Sequence, residues 1–182
     1  KPFYQDEIKR YPRRYVVCEA TAKPLDYGDP ALCGGAFAFG YVQHFVGAAR
    51  GDAESVQQLA AYYRSAPATM ATFLSNHDSF AGQRLWDQLA GDERAYKVAA
   101  AGYLLQPGTP FIYYGEEIGM EGGADPDCRR TMRWDPAQWN HAQRDWVKRL
   151  VTIRQTNPAL QYGEVTVLGD RLDGNALVFL RH

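Results

Sequence analysis

The stretch MATFLSNHD, residues 70–78, decides the fold, because it changes from apolar to polar within a few residues. Its first part, through Ser75, has the length and composition of a buried β-strand. It then presents Asn76, His77 and Asp78 in succession. In a parallel barrel the polar groups that follow the strands meet at one rim, where catalytic groups cluster. A strand that simply ends at a turn is the alternative, and spacing alone favours that alternative.

Strands and helices alternate on both sides of this stretch. Besides 70–75, strands are predicted at 15–18, 34–40 and 111–114, and amphipathic helices at 52–64, 92–105 and 142–155. This alternation indicates βα units and a parallel sheet, which places the chain in the α/β class. Four such strands make half of an eight-stranded barrel, and a complete barrel typically needs about 250 residues. We therefore expect residues 1–158 to form half of a barrel.

The C-terminal segment breaks this alternation. Two short apolar runs, 165–168 and 176–180, flank a polar turn that contains Asp173 and Gly174. Such a pattern predicts an antiparallel hairpin. We interpret residues 159–182 as the start of a C-terminal β domain.

The composition excludes several classes of function. The chain has 182 residues, of which 46% are apolar and 23% charged, with a net charge of −1. These values argue against disorder, nucleic-acid binding and a polybasic membrane surface. No apolar run approaches the roughly 20 residues of a membrane span. The first residues contain neither a Met nor the apolar region of a signal peptide, so we expect the native start to lie elsewhere, and the compartment stays open.

The cysteines are odd in number. Cys18, Cys33 and Cys128 have no metal-ligand spacing. The pattern therefore indicates neither a disulfide framework nor a zinc site.

Two carboxylates come directly after predicted strands. Glu19 follows the first strand, and Asp78 ends the stretch quoted above. Two carboxylates at one rim could serve glycosidic bond cleavage, where one acts as the general acid. Acidic residues after strands are also ordinary helix caps, and spacing alone favours that simpler interpretation.

Longer motifs carry a family resemblance. FLSNHD at 73–78, followed by QPGTPFIYYGEEIGM at 106–120, resembles the seventh- and eighth-strand motifs of the α-amylase family of glycoside hydrolases. VVCEA at 16–20 is similar to the fifth-strand motif of that family. DPDCRRTMRWDP at 125–136 is similar to the loop after strand eight in the neopullulanase and cyclomaltodextrinase branch. The resemblance implies strands five to eight of a TIM-type (β/α)8 barrel.

The resemblance also implies roles for individual residues. Glu19 would be the general acid/base, for which partial burial is usual. Asp78 would stabilise the transition state, and His77 would donate a hydrogen bond to the same sugar. Asn76 would orient the loop. The implied reaction is the retaining cleavage of α-1,4-glucosidic bonds in starch-like α-glucans.

Other charged residues are left out of the predicted site. Consecutive carboxylates such as Glu116 and Glu117 point in different directions, and this segment is mainly structural in the family. Arg129 and Arg130 could line a substrate subsite, but we interpret them as solvated loop charges. The string Gly-Asp-Arg-Leu-Asp at 169–173 mimics the family's nucleophile motif, but its setting between two alternating strands makes it a hairpin turn.

The family's nucleophile should lie upstream of Glu19, and nothing in residues 1–18 matches its motif. We therefore expect the isolated chain to be inactive and to need the N-terminal half of the barrel as a partner. No cofactor or metal is predicted here, because most ligands of the family's calcium site also lie upstream. Two alternatives stay open: a sucrose- or trehalose-acting transglycosylase, and a non-catalytic half-barrel that assembles with itself.

Overall fold

The computed structural model describes residues 6, 10–11, 15–29, 32–78, 83–169 and 176–182. The α-helices are α1 (Val42–Ala49), α2 (Ala53–Ser65), α3 (Leu85–Gln88), α4 (Glu93–Leu105), α5 (His141–Thr156) and α6 (Pro158–Tyr162). The strands are β1 (Ala71–Thr72), β2 (Thr109–Pro110), β3 (Val165–Gly169) and β4 (Val178–Arg181). Single 3-10 turns occur at Pro24–Gly28, Glu116–Ile118, Asp127–Arg129 and Pro136–Gln138. The predicted turn at Asp173 and Gly174 lies outside the described residues.

Extended segments in the first two thirds of the chain pair in parallel, in the order in which they occur in the sequence. Cys18 pairs with Ala36, Phe37 pairs with Ala71, and β1 pairs with β2. Backbone hydrogen bonds continue from segment to segment: the Ala71 N–H donates to the Ala36 carbonyl at 2.8 Å, and the Thr109 N–H donates to the Met70 carbonyl at 2.9 Å. The predicted parallel sheet is therefore confirmed.

The predicted long helices are confirmed to within one residue at each end. Each begins at a side chain that caps its first turn. Asp52 accepts from the Ser55 N–H at 2.8 Å before α2, and Asp92 accepts from the Arg94 and Ala95 N–H groups before α4. These caps satisfy backbone donors that have no partner inside the helix.

The main core lies between the helices and the parallel sheet. It contains Met70 and Leu74 from the β1 segment, Leu59 from α2, Tyr103 from α4 and Leu150 from α5, all of them buried. This packing holds the β1 segment against the helices, so the residues that follow it extend from a well-packed part of the fold.

The C-terminal hairpin is antiparallel, as predicted, and pairs β3 with β4. Phe179 packs edge to face on Tyr63 of α2, with ring centroids 5.0 Å apart. The Arg181 guanidinium donates to the Leu105 carbonyl at 3.1 Å. The hairpin therefore rests on α2 and α4, and its assignment to a separate β domain stays a prediction.

Several features differ from the sequence-based expectations, among them the strand predicted at 111–114, which forms instead as β2 at Thr109–Pro110. Cys18 and Cys33 form a disulfide, with their Cα atoms 6.1 Å apart, and Cys128 is the buried free cysteine. The expectation of no disulfide was wrong because Cys33 lies just before the segment that pairs with Cys18, and this proximity arises from tertiary structure. Helix α1 was not predicted, although Val42, Phe45 and Val46 form its buried apolar face, because it is only eight residues long and no side chain caps its first turn. None of the helices in the described ranges combines the length and the apolar character that a membrane span requires.

Candidate active site

A cleft of about 160 Å³ lies beside the ends of the parallel segments. Its polar lining includes Glu19, Ser75, Asn76 and His77, each of which comes at or just after the end of an extended segment. The structure therefore brings Glu19 and His77, far apart in the sequence, to one cleft.

Aromatic rings form the apolar wall of this cleft. The wall includes Phe37, Phe39, Phe73 and Phe111, one or two from each neighbouring segment. Phe37 packs edge to face on Phe73 and on Phe111, with centroid distances of 5.5 Å and 5.0 Å. Edge-to-face packing stabilises aromatic clusters, so the rings of this wall hold one another in place.

Glu19 lies directly after the Cys18–Ala36 pairing and is exposed. A general acid is expected to be partly buried, but the described residues do not bury the Glu19 side chain. Glu19 lines the cleft, and its role as the acid/base stays a prediction.

The loop Asn76–Asp78 has a defined local geometry. The Asn76 side-chain oxygen accepts from the Asp78 N–H at 2.9 Å, which gives Asn76 the loop-orienting contact that was predicted. The His77 Nε2 and Asp78 Oδ1 atoms are 3.5 Å apart. The His77 side chain is 58% exposed and that of Asp78 28% exposed, so both are open to a ligand. Asp78 lies next to the lining residues and is not one of them.

Arg129, which the sequence interpretation left as a solvated loop charge, contacts the Asn76–Asp78 loop. Its Nε donates to the His77 carbonyl at 2.8 Å, and its Nη2 lies 3.5 Å from Asp78 Oδ1. It also pairs with Asp125 at 2.8 Å. The spacing of Asp125 and Arg129 was a visible signal for an ion pair within the loop, but the contact with His77 joins distant parts of the chain. Arg130, by contrast, pairs with Asp127 at 2.7 Å as an exposed loop charge.

Glu116 lies behind the cleft and is buried, with 3% of its surface exposed. The Ser75 hydroxyl donates to one carboxylate oxygen, and the Tyr103 hydroxyl donates to the other at 3.1 Å. Burial raises the pKa of Glu116 to about 7, although both hydrogen bonds act in the opposite direction. Through Ser75, Glu116 supports the end of the β1 segment, and its exclusion from the catalytic set stays a prediction.

Arg84 holds residues 122–128 against Tyr113 and Tyr114, which follow β2. This fully buried guanidinium lies over the rings of Tyr113 and Tyr114, at 4.5 Å and 4.6 Å from their centroids. Its Nε donates to the Cys128 carbonyl at 2.9 Å. Stacking and hydrogen bonding together hold residues 122–128 beside Arg129 and the Asn76–Asp78 loop.

No metal site is apparent among the residues that the structure describes, because no group of three or more His, Cys, Asp or Glu side chains is placed to hold an ion. Calcium binding by a longer protein stays a prediction.

The chain was also compared with known proteins. A family model described as alpha amylase, catalytic domain, matches residues 52–164, which is more than half of the chain. This match shows that the chain belongs to the alpha-amylase family.

Individual relatives agree with this assignment. The chain is 35% identical over 125 residues to a cyclomaltodextrinase of Bacillus sp., covering 69% of this chain and 22% of that protein. It is 33% identical over 134 residues to neopullulanase 2 of Thermoactinomyces vulgaris, covering 74% of this chain and 22% of that protein. The chain thus spans about a fifth of the length of these curated relatives.

A solved structure supports the same fold. The structure of cyclic alpha-maltosyl-(1→6)-maltose hydrolase from Arthrobacter globiformis, in complex with cyclic alpha-maltosyl-(1→6)-maltose, matches with a TM-score of 0.86 and 25% identity. The match covers 100% of this chain and 42% of that chain.

Proposed function

We propose that this chain forms strands five to eight of the catalytic barrel of an α-glucan hydrolase, which cleaves α-1,4-glucosidic bonds with retention of configuration. One observation carries the proposal: Glu19 and His77 line a single aromatic cleft, with Asp78 adjacent, in a chain that belongs to the alpha-amylase family. The names of the relatives, cyclomaltodextrinase and neopullulanase, support an α-glucan as the substrate.

In the proposed mechanism, Glu19 gives its proton to the glycosidic oxygen as the bond to the sugar carbon breaks. A carboxylate nucleophile takes that carbon as a glycosyl ester, and Glu19 then removes a proton from the water that hydrolyses the ester. Asp78 and His77 hold hydroxyl groups of the same sugar beside the reacting carbon. The aromatic wall presents an apolar surface to the ring and excludes water from one side of the cleft.

The nucleophile must come from another part of the protein. Among the described residues that line the cleft, Glu19 is the one carboxylate. The α-amylase resemblance places the nucleophile on the fourth strand, upstream of this chain's motifs. We therefore propose that the isolated chain is inactive and that the N-terminal half of the barrel is its partner.

The experiment combines the separately produced halves of the barrel and measures hydrolysis of maltohexaose and a cyclomaltodextrin. This chain alone should show no turnover, and adding the N-terminal half should restore it. Removing a general acid typically costs about 10²- to 10⁴-fold in rate, so Glu19→Gln should lose most of the restored activity. Asp78→Asn should do the same.

The matched control is Glu54→Gln, which changes an exposed carboxylate on α2 and should leave the restored rate unchanged. Restored turnover that survives both Glu19→Gln and Asp78→Asn would refute the roles given to these residues.

The same preparation separates the alternatives. Glycosyl transfer from sucrose or trehalose, in place of hydrolysis, would identify a transglycosylase. A stable oligomer of this chain in sedimentation, with no activity after the N-terminal half is added, would favour the non-catalytic half-barrel. The exposure of Ile112 and Tyr114, beyond β2 at one side of the parallel sheet, is the observation that keeps this second alternative open.

A further inference from the structure

The segment that carries Glu19 is joined to its neighbour by few contacts. Among the described residues its backbone pairing consists of two hydrogen bonds: the Cys18 N–H donates to the Gly35 carbonyl at 2.8 Å, and the Phe37 N–H donates to the Cys18 carbonyl at 3.0 Å. The third link is covalent, the disulfide between Cys18 and Cys33. Glu19 is the next residue, so the direction of its side chain depends on how firmly Cys18 is held.

The other end of the disulfide is a rigid anchor. Cys33 is 1% exposed, and the N–H groups of Leu32, Cys33 and Gly34 donate to the Asp29 carbonyl at 2.9 to 3.1 Å. The preceding turn is fixed as well, because the Thr69 hydroxyl donates to the Gly28 carbonyl at 2.9 Å. The covalent bond therefore ties the segment of Glu19 to a part of the fold that is already held in place.

The opposite side of the cleft does not depend on this bond. His77 and Asp78 are held by Arg129 and by the Asn76 turn, and Cys128 provides a weaker contact to the His77 carbonyl at 3.5 Å. Loss of the disulfide should disturb the two sides of the cleft unequally.

We propose that the Cys18–Cys33 disulfide positions Glu19 for proton transfer, and that its reduction selectively weakens this step. Reduction breaks the S–S bond and adds two electrons and two protons to give two thiols. The reductant, a phosphine in the experiment below, supplies the electrons and becomes a phosphine oxide, and one water molecule supplies the oxygen and both protons. The inference rests on the proposed role of Glu19 as the acid/base. Cys18 and Cys33 are positioning residues, since neither is proposed to touch the substrate.

The experiment uses the active protein formed by this chain and the N-terminal half of the barrel. It compares kcat/KM for maltohexaose, whose leaving group needs a proton, with kcat/KM for α-maltosyl fluoride, whose leaving group does not. Treatment with a phosphine reductant should lower the value for maltohexaose by about tenfold or more, and the value for the fluoride by less than about twofold. Reoxidation should restore the first value.

The control is the double variant Cys18→Ala/Cys33→Ala. Without reductant it should show the same selective loss, and the reductant should change it no further, which excludes effects on any other disulfide. Mass spectrometry of the folded 182-residue chain should first show the linked peptides that contain Cys18 and Cys33.

Several outcomes would overturn the inference: unlinked cysteines in the folded chain, unchanged kinetics after complete reduction, or an equal loss with both substrates, which would indicate general loosening of the fold. Absence of turnover on both substrates in the oxidised protein would instead contradict the proposed function. The reversible treatment of folded protein keeps the test informative if the double variant fails to fold.

Discussion

At the scale of single residues, Glu116 shows how burial changes the chemistry of an ordinary side chain. It lies between Ser75 and Tyr103, and Tyr96 donates to its backbone carbonyl at 3.0 Å. Burial raises its pKa from 4.5 to about 7. The folded chain therefore binds a proton at Glu116 more tightly than the unfolded chain does.

This difference predicts a pH dependence of stability. Below pH 4.5 both states hold the proton, whereas between pH 4.5 and about 7 the folded state alone holds it. The free energy of unfolding should fall through that window as the pH rises, by about 3 kcal/mol. Glu116→Gln replaces the acid by a neutral amide of the same shape and should remove this contribution.

Urea denaturation of both proteins at a series of pH values measures the effect. The exposed Glu121→Gln variant is the control and should keep the pH dependence of the unchanged protein. Equal slopes for Glu116→Gln and the unchanged protein would show that Glu116 is not titrating in this range.

Arg129 is the second residue with a testable role. Arg129→Ala removes the hydrogen bond to the His77 carbonyl and the contact with Asp78. Because Arg129 is partly exposed, we expect a local cost of about 1 kcal/mol, which corresponds to roughly fivefold faster hydrogen exchange at the Asp78 amide.

Exchange measured by NMR should show this change around residues 76–78. Arg130→Ala is a matched control, since the Arg130 guanidinium pairs with Asp127 within the same loop. The same acceleration in both variants would mean that loop charge in general, and not Arg129, holds the site.

Candidate site residues could be predicted where they belong to a short continuous sequence motif. Glu19 and His77 were named from short strings that end extended segments, and both line the cleft. Arg129 and the Cys18–Cys33 pair were not predictable in the same way. Their contacts join residues that are separated in the sequence, and local sequence patterns do not specify such contacts.

At the scale of secondary-structure elements, predictability follows how local the determining forces are. Helix α4 has both an apolar face and the Asp92 cap, and its prediction was accurate. Helix α1 depends on tertiary packing instead: Gly47 allows a close approach to Ser55 that any side chain would block. The strand predicted at 111–114 is shifted, since β2 forms at Thr109–Pro110 and Phe111 continues the pairing by one hydrogen bond.

The hairpin gives a prediction at this scale. Phe179→Ala removes the edge-to-face contact between β4 and Tyr63 of α2, and we expect it to lower the free energy of unfolding by about 2 kcal/mol. Thermal or urea unfolding measures the change.

Val178→Ala is the control, because this neighbouring strand residue is exposed and should cost much less. A similar cost for both variants would show that strand propensity, and not packing on α2, stabilises the hairpin.

At the scale of the whole molecule, the structure is a parallel sheet backed by helices on which an antiparallel hairpin rests. The cleft gathers side chains from successive extended segments, so its geometry depends on the complete sheet. Fold class was predictable from the alternation of strand and helix patterns. Such patterns do not decide whether the hairpin belongs to a separate β domain, because they do not specify where it packs. In the structure it packs on the same core as α2 and α4.

The order of the parallel segments has a consequence for biosynthesis. Each extended segment pairs with the one that precedes it in the chain, from Cys18 through Phe37 and Ala71 to Thr109. A ribosome releases the chain from the N-terminus, and domains assemble as they emerge. Every new strand therefore leaves the exit tunnel after its upstream partner, so this sheet can grow by one strand at a time without waiting for later sequence.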